Sequence, residues 1–147
     1  GDYKLDLTDI NPVYLPLILE PFKQLASQGR IARLYVPVQS GSPRILKLMN
    51  RGCDTERVKA TLREMRAAVV PDNGFRLGTS IIAGFPGETP EDLQQTIDFC
   101  RDAGFDWVWC HSFSARPETP AAQLEGRLPA GGDRGGAGAY PGTHADI

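Results

Sequence analysis

No two of the three cysteines stand closer than Cys100 and Cys110, and Cys53 is more distant still. Such an odd, scattered set builds no disulfide framework and suits a reducing cytosol better than a stapled secreted domain. Long hydrophobic runs are missing too: none approaches the ~20 apolar residues that cross a bilayer. There is no initiator Met and no signal-peptide pattern, and the start at Gly1 reads as a cut from something longer. A charge excess is also lacking. With 16 basic against 18 acidic residues, the total says nothing about partners.

The 147 residues that are there make one domain, long enough to bury a core. Their charge is unevenly spread. Residues 30–76 hold ten basic and four acidic side chains, whereas residues 77–128 hold three and eight. A basic half suits a polyanion such as RNA. The plainer reading makes Arg57, Lys59, Arg63 and Arg66 the solvated face of one helix.

Residues 3–7 alternate as a short strand. Asn11-Pro12 then gives an N-cap with proline at the first helical position. Leu15, Leu17, Ile18, Leu19, Phe22 and Leu25 supply an apolar face, and Pro16 and Pro21 predict a broken or kinked helix. A second strand over residues 31–38 delivers Gln39 and Ser40 at its carboxyl end. Ser42-Pro43 repeats the cap-then-proline signal, and Arg51-Gly52 stops the helix that follows. The cleanest amphipathic pattern comes next, with Val58, Leu62, Met65 and Val69 on one face. Residues 75–83 are apolar enough for a strand covered on both faces. Thr89-Pro90 caps a helix with Glu91 and Asp92 in its first turn and a buried stripe of Leu93, Ile97 and Cys100. A fourth strand is expected over residues 106–113. Strands alternating with helices predict α/β architecture: about four parallel strands with right-handed crossovers and outer helices.

Residues 129–147 break this pattern. Six glycines between 131 and 147 and almost no large apolar residue read as a disordered tail or as an artefact such as a reading-frame slip, and not as a binding module. The domain boundaries are therefore set at 1–128 and 129–147.

Two junctions carry the chemistry. Pro37-Val38-Gln39-Ser40-Gly41-Ser42-Pro43-Arg44 and Ser80-Ile81-Ile82-Ala83-Gly84-Phe85-Pro86-Gly87-Glu88-Thr89 each run from strand through a glycine turn into a helix. Parallel α/β proteins hold ligands at such junctions. Gln39 and Ser40 have side chains that donate to and accept from a ribose or a carboxylate; otherwise they satisfy turn backbone. Gly84 and Gly87 allow backbone close to a flat ligand, or serve only a tight turn. Glu88 reads as a helix cap. Arg116, just past the last strand, pairs with a carboxylate or phosphate, or forms a surface salt bridge. His111 reads as a hydrogen-bonded strand residue, Trp107 and Trp109 as covered by helices, and Asp6 and Asp9 as minor candidates at the pocket mouth.

In order and spacing these motifs resemble the later half of the radical S-adenosylmethionine barrel of the methylthiotransferases. The likeness is carried by residues 34–42, by Ile45-Leu46-Lys47-Leu48-Met49-Asn50-Arg51-Gly52, by residues 80–89, and by Ser114-Ala115-Arg116-Pro117-Glu118-Thr119-Pro120-Ala121-Ala122. It implies a partial TIM-like (βα) barrel and an S-adenosylmethionine site lined by Gln39, Ser40, Ile82, Gly84, Phe85 and Arg116. It also implies a 4Fe-4S cluster in the parent enzyme, a deoxyadenosyl radical, and a tRNA or ribosomal protein as substrate. No membrane is implied, and a cytoplasmic location is expected. The family's Cys-x-x-x-Cys-x-x-Cys segment is not here, so the resemblance implies an inactive fragment that lacks cluster ligands. Cys110-His111 is no substitute, since adjacent strand residues face opposite sides. Three other readings fit the residues: a cobalamin-assisted or coproporphyrinogen-type radical enzyme, a non-catalytic truncated gene product, and a phosphate-binding barrel fragment.

Overall fold

The computed structural model describes residues 2–114 and 145–146. Strands β1 (Leu5–Leu7), β2 (Ile31–Tyr35), β3 (Arg76–Ala83) and β4 (Trp107–Ser112) lie side by side in chain order, all parallel. Sequential parallel order is the arrangement of a (βα) barrel arc. A two-residue strand, β5 (Ala145–Asp146), pairs antiparallel with β4 at residues Trp107 and Val108. The rest of the expected tail, residues 129–144 and 147, lies outside the described residues, as does Arg116.

Helices α1 (Leu15–Ser27), α2 (Pro43–Leu48), α3 (Thr55–Ala67) and α4 (Pro90–Ala103) fill the crossovers. The proline-rich start resolves into a 3-10 turn at Pro12–Tyr14, capped by Asn11, followed by α1 with Pro21 inside it. Strand ends are shorter than the pattern predicts: β2 stops at Tyr35, and beyond it the Val38 N–H donates to the Thr79 hydroxyl and not to a β3 carbonyl.

One face of the sheet packs against helices. Leu34, Leu77 and Ile81 join Leu15, Phe22, Leu62, Met65 and Phe99 in the core. At about 25 cal/mol per Å² of apolar surface, burying each such side chain contributes about 2 kcal/mol. The buried stripe of α4 differs from the expected one: Thr96, Phe99, Cys100 and Ala103 point inward, and Ile97 is exposed. The reason is polar, because the Thr96 hydroxyl is claimed by the loop after β2.

The other face explains a second correction. In register, Gly78, Ser80 and Ile82 lie opposite Trp107, Trp109 and His111. Val108 and Cys110 pack on the helix-covered core, so alternation places the tryptophans on the far face. No described helix covers them. Trp107 instead stacks with Tyr35, its ring lying where a Cβ on Gly78 would sit, and Trp109 is 45% exposed.

Candidate functional site

Gln39 is where β2 meets the site. Its N–H donates to the Ser80 carbonyl at 2.9 Å, and its carbonyl accepts from the Ile82 N–H at 2.8 Å. It therefore continues the sheet for one residue, bridging to Ile81. Its φ of 69° is left-handed, and the Ser40 N–H donates back to the Val38 carbonyl at 2.9 Å. That three-residue turn is rare and strained in a non-glycine residue. Among the described residues the Gln39 carboxamide has no hydrogen-bond partner, so two donors and an acceptor stand ready at the strand end.

Ser40 is brought somewhere else. It is buried, its hydroxyl lies 3.2 Å from the Thr96 hydroxyl, and it accepts from the Ser42 N–H at 3.1 Å. The Gly41 N–H donates to Thr96 at 3.0 Å. Ser40 thus holds the loop to α4. Gly41 is required for that approach: a Cβ there would lie 2.7 Å from the Thr96 Cα and 2.8 Å from the Gln95 carbonyl.

The second junction is locked by its own carboxylates. Gly84 (φ 76°) and Gly87 (φ 85°) take left-handed conformations, which glycine adopts without a Cβ penalty. Glu88 does not cap α4. Its carboxylate accepts from the Gly84 N–H at 2.7 Å, and burial pushes its pKa up against that bond. Thr89 is the cap, in a reciprocal box with Asp92. Phe85 is buried edge-on against Phe113 at 5.0 Å, which makes it a support for the wall, while Ile82 is half-buried on the open sheet face.

The two junctions are tied together by residues that the sequence reading did not single out for this role. Asp92, almost fully buried, accepts from the Ser42 hydroxyl at 2.6 Å and from the Arg44 guanidinium through both its oxygens. Arg44 also reaches the Gly87 carbonyl. The Arg44 contact, followed by Ser42 and Thr89, holds the Asp92 carboxyl well below the usual carboxylate range, although burial opposes this. The signal available beforehand was Arg44 itself: a cation in the first turn of a helix opposes the helix dipole and calls for a partner elsewhere.

The cysteines do not fit an iron–sulfur cluster. Cys100 and Cys110 pack on the helix side of the sheet, and Cys53 lies in the α2–α3 loop. Burial pushes all three thiols up, Cys100 to about 12, whereas a metal ligand must be a thiolate. Among the described residues no group of three or more His, Cys, Asp or Glu is placed to hold a metal ion. Asp6 faces Arg33 across the sheet at 3.7 Å, and Asp9 takes a left-handed φ of 56°. No helix in the described residues is long and apolar enough to cross a membrane.

Comparison with known proteins agrees with this geometry. A tRNA-2-methylthio-N(6)-dimethylallyladenosine synthase of Chloroflexus aurantiacus is 51% identical over 90 residues, covering 61% of this chain and 19% of that protein. One of the same name from Legionella pneumophila is 48% identical over 96 residues, covering 65% and 21%. The chain spans about a fifth of the length of these curated relatives. Among solved structures, coproporphyrinogen III oxidase of Escherichia coli superposes with a TM-score of 0.66 at 21% identity, over 86% of this chain and 29% of that one. That likeness concerns the fold. The model of the radical SAM superfamily matches residues 8–100. With parallel strands in barrel order, two glycine junctions at their carboxyl ends and that match over most of its length, this chain belongs to the radical SAM superfamily.

Proposed function

We propose that this chain forms one wall of an S-adenosylmethionine site in a methylthiotransferase acting on tRNA. The observation that carries the reading is Gln39: a strained residue at a strand end, its carboxamide unpartnered among the described residues. Backbone strain of this kind collects at binding sites. Ile82 and the Gly84 turn offer an apolar edge and exposed backbone beside it, Phe85 stiffens that edge, and Ser40 with Thr96 fixes the loop. Arg116 is assigned to the same wall by its motif. Where S-adenosylmethionine binds, it supplies the hydrogen-abstracting chemistry of the family. The residues of this chain orient it: Gln39 by hydrogen bonds to ribose or carboxylate, Ile82 by apolar contact. The chain's cysteines do not fit the cluster, so no electron-transfer step is assigned to them. The tRNA substrate is inferred from the names of the relatives and from the basic stretch at residues 30–76.

The test is calorimetric titration of S-adenosylmethionine into the chain and into Gln39→Ala. Saturable binding weakened about tenfold by the substitution is expected, the worth of one or two hydrogen bonds. A folded chain that binds none, or binding indifferent to the substitution, overturns the assignment.

A further inference from the structure

On the helix side of the same strand ends, two adjoining hollows of about 260 and about 230 Å³ share Pro12, Val13, Gly52 and Cys53. Arg51 lines one and Arg57 the other. Pro37 and Val38, which also line the cleft, immediately precede Gln39. None of these residues belongs to the wall described above.

The cations here differ from those further along α3. Lys59 pairs with Glu56 and Asp102, Arg63 donates to the Asp102 carbonyl at 2.8 Å, and Arg66 is bound to Asp106 and the Gly104 carbonyl. They bind α3 to the end of α4, which corrects the picture of a freely solvated helix face. The side chains of Lys47, Arg51 and Arg57 are exposed and make no hydrogen bond or ion pair among the described residues. The acid lining the cleft is Asp54, and its Oδ1 already accepts from the Glu56 and Arg57 N–H groups. Two guanidiniums that form no ion pair among the described residues flank a cleft lined by proline and valine, with the Asp54 carboxylate turned to the α3 N-terminus as its cap. Guanidinium recognises phosphate by paired hydrogen bonds, and such a floor accepts a sugar or base.

We propose that this cleft holds the phosphodiester backbone of a single-stranded stretch of RNA, with Arg51 and Arg57 as the phosphate ligands and Val13 and Pro16 against the sugar or base. The inference rests on the RNA-acting reading above and adds a contact surface to it, apart from the cofactor wall.

The test is fluorescence anisotropy of a short labelled single-stranded RNA with the full chain and with the double variant Arg51→Ala/Arg57→Ala, across a salt series. Both arginines are exposed, so the variant is expected to keep the parent's circular-dichroism melting curve. Its affinity should fall about tenfold or more, and the slope of log K against log salt should fall by about 1.4, the value for two lost phosphate contacts on a single strand. Arg51→Lys/Arg57→Lys should keep the parent's salt slope while binding more weakly. Unchanged affinity and slope in the alanine variant overturn the proposal, as does a folded parent chain that binds no RNA. Competition by adenosine monophosphate as strong as by RNA also overturns it, making the cleft a small-nucleotide site. S-adenosylmethionine titration into the parent chain, beside its RNA titration, separates the two readings. Cofactor binding without RNA binding sinks only this one; RNA binding without cofactor binding sinks only the wall assignment.

Discussion

At Gln39 a left-handed backbone is imposed on a residue with a side chain, which costs about 1 kcal/mol or more. The sheet bonds on both sides of it, to Ser80 and Ile82, hold it there. Gln39→Gly should therefore raise stability by about 1 kcal/mol in urea denaturation while weakening S-adenosylmethionine binding. Stability and affinity moving together would show that the side chain has only a structural role. Asp92 is the converse case, a buried charge whose partners are all in place. Aspartate in the unfolded chain titrates near pH 4. The folded value lies well below that, so the carboxylate's contribution is complete above about pH 4 and is lost as pH falls toward the folded value. Asp92→Asn should cost about 2 kcal/mol at neutral pH, because Arg44, half-exposed, is left with water for a partner. The variant's stability should also fall less steeply between pH 5 and pH 2, as denaturation at each pH would measure.

Among the elements, α4 shows how one polar side chain orients a helix. Its apolar residues alone define a stripe through Leu93, Ile97 and Cys100, but the observed face centres on Thr96 and Phe99. The Thr96 hydroxyl meets both Ser40 and the Gly41 N–H, and it also donates to the Asp92 carbonyl at 3.1 Å. Those bonds exist only because Gly41 lets the loop lie on the helix. Gly41→Ala must push α4 away and should cost about 3 kcal/mol by thermal unfolding, as overpacking against backbone does. A loss below about 0.5 kcal/mol would mean that the loop yields easily and that Thr96 does not set the helix rotation. On β4 the covered tryptophan face expected from the sequence is not found, because alternation shows that two residues share a face, not which face the helices cover. Register decided it, by pairing Trp107 with Gly78 and leaving Val108 and Cys110 for the core.

For the whole molecule, an arc of four parallel strands buries one face and leaves a row of aromatic and polar groups on the other. β1 is three residues long, and among the described residues only β2 pairs with it. Unpaired strand edges template further pairing. The isolated chain is expected to self-associate with rising concentration, measured as apparent mass by light scattering; a constant monomer mass would show that this edge is already covered. The sequence by itself determined the alternation of strands and helices, the parallel sheet and the two glycine junctions, because periodicity, caps and turn residues are local signals. It also placed Cys110 and His111 on opposite faces, since strand alternation is local too. Only the tertiary structure decided that Ser40 serves the loop while the Gln39 carboxamide has no partner among the described residues, that Arg44 reaches Asp92 from 48 residues away, and that Glu88 closes its own turn. Those outcomes depend on which buried polar groups find partners across the fold, and that is settled when the elements pack.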